Sequence, residues 1–161
     1  MAQSARPNRL QLLLIEDNAG DVRLIREAFR TNGQEVEIAV VRDGVDALDY
    51  LRGSGAYVSA PRPDLILLDL NLPRKSGREV LREVKADDRL SAIPVVILTT
   101  SAADEDIAFS YRTHANTYII KPVNLDRFLE VIGSIGAYWS HIACLPGGND
   151  GENGNPAARP V

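Results

Sequence analysis

Cysteine is almost missing from this sequence. Cys144 stands alone, which excludes an internal disulfide, and with only two histidines, His114 and His141, no zinc or iron ligand spacing can be drawn. Neither histidine falls beside a candidate nucleophile, so both read as ordinary surface or packing residues. Long apolar runs are missing too. No uninterrupted stretch reaches the roughly 20 residues of a membrane span or the apolar region of a signal peptide, which makes the cytoplasm the expected location. Positive charge is scarce: 18 Lys and Arg stand against 22 Asp and Glu, a formal net charge of −4, and no basic run provides a local exception. That balance argues against a grip on nucleic acid. What remains is 161 residues, 45% hydrophobic and 25% charged, the proportions of one soluble globular domain with a buried core.

From Leu10 onward strand and helix signals alternate, which predicts parallel βα units in a sheet covered on both faces. Five strands are expected at 10–15 (LQLLLI), 36–41 (VEIAVV), 65–69 (LILLD), 95–99 (VVILT) and 117–121 (TYIIK). The first, third and fourth are continuously apolar, as central strands are, whereas the second and fifth carry polar residues suited to sheet edges. The pattern predicts order 2-1-3-4-5, a doubly wound α/β fold. Helical stripes lie between the strands: Val22, Ile25, Ala28 and Phe29; Ala47, Leu48 and Leu51; Val80, Leu81 and Val84 after Gly77; Ile107, Ala108 and Tyr111. The fifth stripe runs from Leu125 to Ile142 despite Gly133 and Gly136, longer than a domain edge usually needs. Residues 1–8 are expected to be a flexible N-terminus, 9–145 the domain, 53–63 a long Gly/Ser/Pro loop, and 146–161 a disordered tail.

In such a sheet ligands bind beyond the carboxyl ends of the strands, where the winding reverses, here between strands one and three. Strand one runs into Glu16 and Asp17 and strand three ends at Asp69, so three carboxylates converge there. An acid after a strand is often only the N-cap of the next helix, and Asn18 or Asp21 suits that task for the first helix. Three acids at one crevice, with Thr99 ending strand four and Lys121 ending strand five, exceed what capping explains. Their repulsion calls for a hard divalent cation such as magnesium, with Lys121 as a further positive charge. Asp69 then suits a carboxylate nucleophile toward a phosphoryl donor, and a hydroxyl among Thr99, Thr100 and Ser101 suits the new phosphoryl oxygens.

The segments LLLIEDN, LILLDLNLPRKSG, VVILTTS and TYIIKPV resemble the receiver domain of two-component response regulators over roughly residues 9–142. The resemblance implies the flavodoxin-like receiver fold and the following roles. Glu16 and Asp17 correspond to the acidic pair that holds Mg2+ (or Mn2+ or Ca2+ in its place), Asp69 to the phosphoacceptor, and Asn71 to the residue whose backbone carbonyl completes the metal site. Thr99, 22 positions before Lys121, corresponds to the switch hydroxyl, with Thr100 beside it, and Tyr118 to the switch aromatic. Lys121 and Pro122 match the lysine–proline pair, whose peptide bond is typically cis in the family, and Gly77 the turn glycine. Glu16 departs from the commoner Asp at its position. Within the family, the loop AYVSAPRPDLILLDLNLP, the segment KSGREVL and the end LDRFLEVIGSIGAYWSHIACLP are most like the single-domain regulators paired with bacterial phytochrome histidine kinases.

The resemblance thus implies a phosphorylated signalling protein, not an enzyme, with a sensor histidine kinase as partner. Only about twenty weakly structured residues follow the fifth helix, so the output is expected to be a changed surface, with no DNA-binding domain. A homodimer through helix 4, strand 5 and helix 5 is expected, with Tyr111, Tyr118, Tyr138 and Trp139 as interface candidates. The alternatives are a phosphate sink, a pseudo-receiver adaptor that is never phosphorylated, and a magnesium-dependent phosphatase with an aspartate nucleophile. The phosphatase wants a second acid two positions after the nucleophile, where this chain has Asn71, and the pseudo-receiver predicts loss of key residues, of which none is lost. A flavodoxin-like cofactor binder needs a Ser/Thr/Gly-rich phosphate loop after strand one, and EDNAGD would repel phosphate without a metal.

Overall fold

The structure, a computed structural model, describes residues 9–146; the expectations for residues 1–8 and for 147–161 lie outside the described residues. Five strands, β1 (Leu10–Ile15), β2 (Val36–Val41), β3 (Leu65–Leu68), β4 (Val95–Thr99) and β5 (Thr117–Ile120), alternate with five helices. The helices are α1 (Ala19–Thr31), α2 (Gly44–Arg52), α3 (Gly77–Ala86), α4 (Asp104–Arg112) and α5 (Leu125–Ala137). All pairings are parallel, in the order β2-β1-β3-β4-β5. The order follows from burial: every residue of β3 and β4 is buried, and all of β1 but Gln11, whereas the edge strands β2 and β5 are mostly half-exposed.

The sheet divides the core in two. Alternate residues of the strands face α2, α3 and α4, where Leu13, Ile15, Ile66, Leu68 and Ile97 meet Leu48, Val80, Leu81 and Phe109. The other set faces α1 and α5, where Leu12, Leu14, Leu65, Leu67, Val96 and Leu98 meet Ile25, Phe29, Phe128 and Ile132. Side-chain caps fix where the helices begin: Asn18 for α1, Asp43 for α2, Ser76 with Glu79 as a reciprocal capping box for α3, and Asn124 for α5. The cap of the first helix is therefore Asn18, which leaves the Asp21 carboxylate free for another task.

Three details depart from the sequence-based expectation. Strands three and five end one residue early, because Asp69 and Lys121 leave the ladder at the sheet rim; their amides still donate to Ile15 O at 3.0 Å and Thr99 O at 2.7 Å. The long loop is partly ordered, with a 3-10 turn at Gly55–Tyr57 whose tyrosine ring packs 5.3 Å from that of Tyr50. The fifth helix does run on, but as a π turn over Tyr138–Ile142. Its glycines are contact points. A methyl group at Gly136 would overlap Gln34, and one at Gly133 would come within 2.8 Å of the Asn32 amide nitrogen, so both let the end of α1 approach α5 closely. Among the described residues no helix is long and apolar enough to cross a membrane.

Candidate functional site

The carboxyl ends of β1, β3, β4 and β5 bring one side chain each to a common point. Glu16 follows β1 directly and is 1% exposed, Asp69 follows β3, Thr99 ends β4, and Lys121 follows β5; all four are buried. Asp17 joins them from the exposed side. Oxygens of Glu16, Asp17 and Asp69 all lie within 4.8 Å of one another. Three carboxylates that close repel strongly unless a cation lies among them, and a purely oxygen donor set fits a hard divalent ion. No thiol or imidazole contributes, so the donors fit magnesium, manganese or calcium better than a soft metal.

Lys121 is the positive counterpart. Its Nζ donates to Glu16 Oε2 at 2.6 Å, Asp21 Oδ2 at 2.8 Å and Asp69 Oδ2 at 2.9 Å, which uses all three ammonium protons. Burial acts to depress this ammonium, and the bonds to Asp21, Glu16 and Asp69 outweigh it, so Lys121 stays protonated well above its ordinary value. The two buried acids separate in character. Burial, reinforced by the Asp69 charge, pushes the Glu16 carboxyl up to about 7 even though Lys121 pulls it down. Burial also works against an ionised Asp69, but Lys121, the Asn71 amide and the Thr99 hydroxyl together hold it below the usual carboxylate range. Asp69 is therefore a carboxylate at neutral pH, as a nucleophile must be.

The loops after β3 and β4 lean on the same carboxylate. The Thr99 hydroxyl donates to Asp69 Oδ1 at 2.8 Å, and the Asn71 amide donates to the same oxygen at 3.1 Å. Exposed Thr100 accepts only a long 3.4 Å bond from the Asn71 side chain. Among the three hydroxyls it is Thr99 that touches Asp69. Gly77 is required here because a Cβ would overlap the Asp69 carbonyl, and its amide returns the chain to Leu70 O at 3.0 Å. The Tyr118 hydroxyl donates to Ser101 O at 2.9 Å, tying β5 to the β4–α4 loop, and the Tyr118 amide donates to the Tyr111 hydroxyl at 3.1 Å.

Two expectations change. The described peptide bonds are all trans, Lys121–Pro122 included, so the cis bond implied by the resemblance is not found. Trans is the ordinary preference of an X–Pro bond, by about 0.5–1 kcal/mol, and Lys121 reaches its three carboxylates without the cis form. The four interface candidates also divide. Tyr111 and Tyr138 are about half exposed, whereas Trp139 packs on the α1/α5 side of the core and Tyr118 against the opposite side. The sequence offers Asp21 only as a cap. Its position in the first turn of α1, four residues after Asp17, was the available signal, but nothing in the sequence shows that Lys121 reaches it across 100 positions.

Residues 12–133 match the response regulator receiver domain. Response regulator Rcp1 of Synechocystis sp. is 42% identical over 146 residues, covering 91% of this chain and 99% of that protein. The phosphorylated cyanobacterial phytochrome response regulator RcpA superposes with a TM-score of 0.83 at 48% identity, over 86% of this chain and 99% of that one. The Mn2+-bound form of Rcp1 superposes with a TM-score of 0.82 at 43% identity, over 85% and 99%.

Proposed function

This chain belongs to the response regulator receiver domain family, and from that premise we propose that it takes a phosphoryl group onto Asp69 from a sensor histidine kinase of the bacterial phytochrome class. The observation that carries the proposal is the surrounding of Asp69: buried, ionised, held by Thr99, Asn71 and Lys121, and within 4.8 Å of two further acids. The phytochrome pairing rests on the likeness to RcpA and Rcp1, and the metal on the Mn2+ that Rcp1 binds.

In the transfer, an Asp69 carboxylate oxygen attacks phosphorus. The new oxygen–phosphorus bond forms as the bond from phosphorus to the donor's imidazole nitrogen breaks, and the electron pair leaves with that nitrogen. Glu16, Asp17, Asp69 and the Asn71 backbone carbonyl would hold a magnesium ion, which supplies neutralisation of charge on the transferring oxygens. Lys121 adds its own charge from the β5 side. Thr99 then exchanges its bond to Asp69 for one to a phosphoryl oxygen, drawing the β4–α4 loop inward. The bond from Tyr118 to Ser101 O carries that motion to β5.

The changed surface is the face of α4, β5, α5 and the π turn that follows it, where Tyr111, Ile120, Tyr138 and Ile142 are exposed. We assign it to a homodimer in which Tyr111 and Tyr138 are central, Tyr118 supports from within, and Trp139 contributes its rim while covering its own core. Light scattering at micromolar concentration should show a dimer; a monomer in both phosphorylated and unphosphorylated forms removes the assignment. The phosphoacceptor is tested by incubating the protein with magnesium and acetyl phosphate and taking intact masses. The parent gains one phosphoryl group and Asp69→Asn gains none. A variant that still gains it moves the acceptor elsewhere.

A further inference from the structure

Of the carboxylates around Lys121, two belong to the trio suited to a cation and one does not. Glu16 and Asp69 share that trio with Asp17, whereas Asp21 stands outside it. When the oxygens of Glu16 and Asp69 turn to a divalent ion, and Asp69 next carries a phosphoryl group, two of Lys121's three partners are weakened together. A divalent cation held by that trio would also repel the ammonium. Asp21 is then the counter-charge that remains. It is placed for this independently of the other two: α1 carries it, and its amide is tied to the cap oxygen of Asn18 at 3.0 Å. Its side chain is 25% exposed against 6% for Lys121, so of this pair it is the acid that keeps contact with solvent.

We infer that Asp21 is a positioning residue that keeps Lys121 turned toward the phosphoryl oxygens once the other carboxylates are occupied. The inference rests on the phosphoacceptor reading of Asp69. The bland alternative is a first-turn acid that only complements the helix dipole or adds general negative charge. The two differ in what they alter. General charge changes metal affinity; a positioning role changes the reaction after the metal site is full.

The test compares the parent with Asp21→Asn, Asp21→Ala and Asp21→Glu. At saturating Mg2+, phosphorylation by acetyl phosphate should slow about tenfold in Asp21→Asn and Asp21→Ala, the effect of one hydrogen bond to a charged group. Asp21→Glu should recover most of the rate. Mg2+ affinity should change by less than about threefold, as expected for a partly exposed charge outside the ligand trio acting through solvent. NMR of the Mg2+ and beryllium fluoride complex gives a readout free of turnover: the Lys121 ammonium signal should be sharp in the parent and broadened in Asp21→Asn. Saturated rates equal to the parent's, or an unaltered ammonium signal, overturn the role while leaving Asp69 as acceptor. A parent that takes no phosphoryl group and binds no beryllium fluoride overturns Asp69 as phosphoacceptor, and this role with it.

Discussion

At the rim of the sheet, Lys121 is 6% exposed and meets three carboxylates within 2.9 Å; on the outer side of α5, Arg127 meets Glu130 at 3.1 Å with both side chains more than 60% exposed. Both are cations paired with acids, yet their surroundings make them different objects. On α5 water screens the pair and takes over when it breaks. At the rim each charge depends on the others, because burial removed the water that would otherwise solvate it. The same contrast runs through the apolar residues. The rim hides its charges, while Val123, Tyr138 and Ile142 around α5 stand in solvent at 105%, 49% and 69% exposure. The proposed phosphoryl chemistry therefore falls among fixed charges at the rim, and the proposed contact with a second copy falls on the exposed face around α5.

Three measurements set the buried rim against the exposed helix. The largest effect should come from Lys121→Ala, which strands three acids. We expect a loss of about 3 kcal/mol in urea unfolding without metal, the lower end for breaking a buried pair because Asp21 still reaches solvent, with part regained on adding Mg2+. A loss below 1 kcal/mol would show that the rim is wetter than its burial suggests.

Next comes pH. Glu16 is pushed up to about 7 chiefly by burial, so its neutral form is favoured in the folded, metal-free protein. Its contribution to stability is full below the ordinary carboxylate range and is lost as pH rises toward 7. Metal binding requires the ionised form, so Mn2+ affinity should fall about tenfold from pH 8 to pH 6, and this slope should flatten in Glu16→Gln. A parent affinity that is flat over that range contradicts the assigned ligand. The smallest effect should be Arg127→Ala, within about 0.5 kcal/mol in the same unfolding assay. A larger value would mean that α5 is covered in solution, which light scattering would then register.

Much of this was legible in the residues. The continuous apolar runs of β1, β3 and β4 require cover on both faces, and the mixed composition of β2 and β5 suits edges, so strand order followed from composition. Glu16, Asp17, Asp69, Thr99 and Lys121 could be placed together because each lies at a strand's carboxyl end. Asp21 could not. It sits on a helix, and its carboxylate had two available tasks, the cap and the ion pair. The capping oxygen of Asn18 settled which one it performs. Gly133 and Gly136 looked like interruptions of an apolar stripe because a sequence does not show that Asn32 and Gln34 need the space. Trp139 and Tyr138 are neighbours of similar chemistry, and only the turn of the helix put one against the core and the other in solvent.

The alternation of elements, the sheet order and the types of group at the rim were encoded in local residue patterns, because periodicity and burial act over short stretches of chain. Which oxygens Lys121 holds, which hydroxyl touches Asp69 and which aromatic stands in solvent came from three-dimensional packing. Those outcomes depend on distances of about one hydrogen bond between segments far apart in the chain, and no local pattern encodes them.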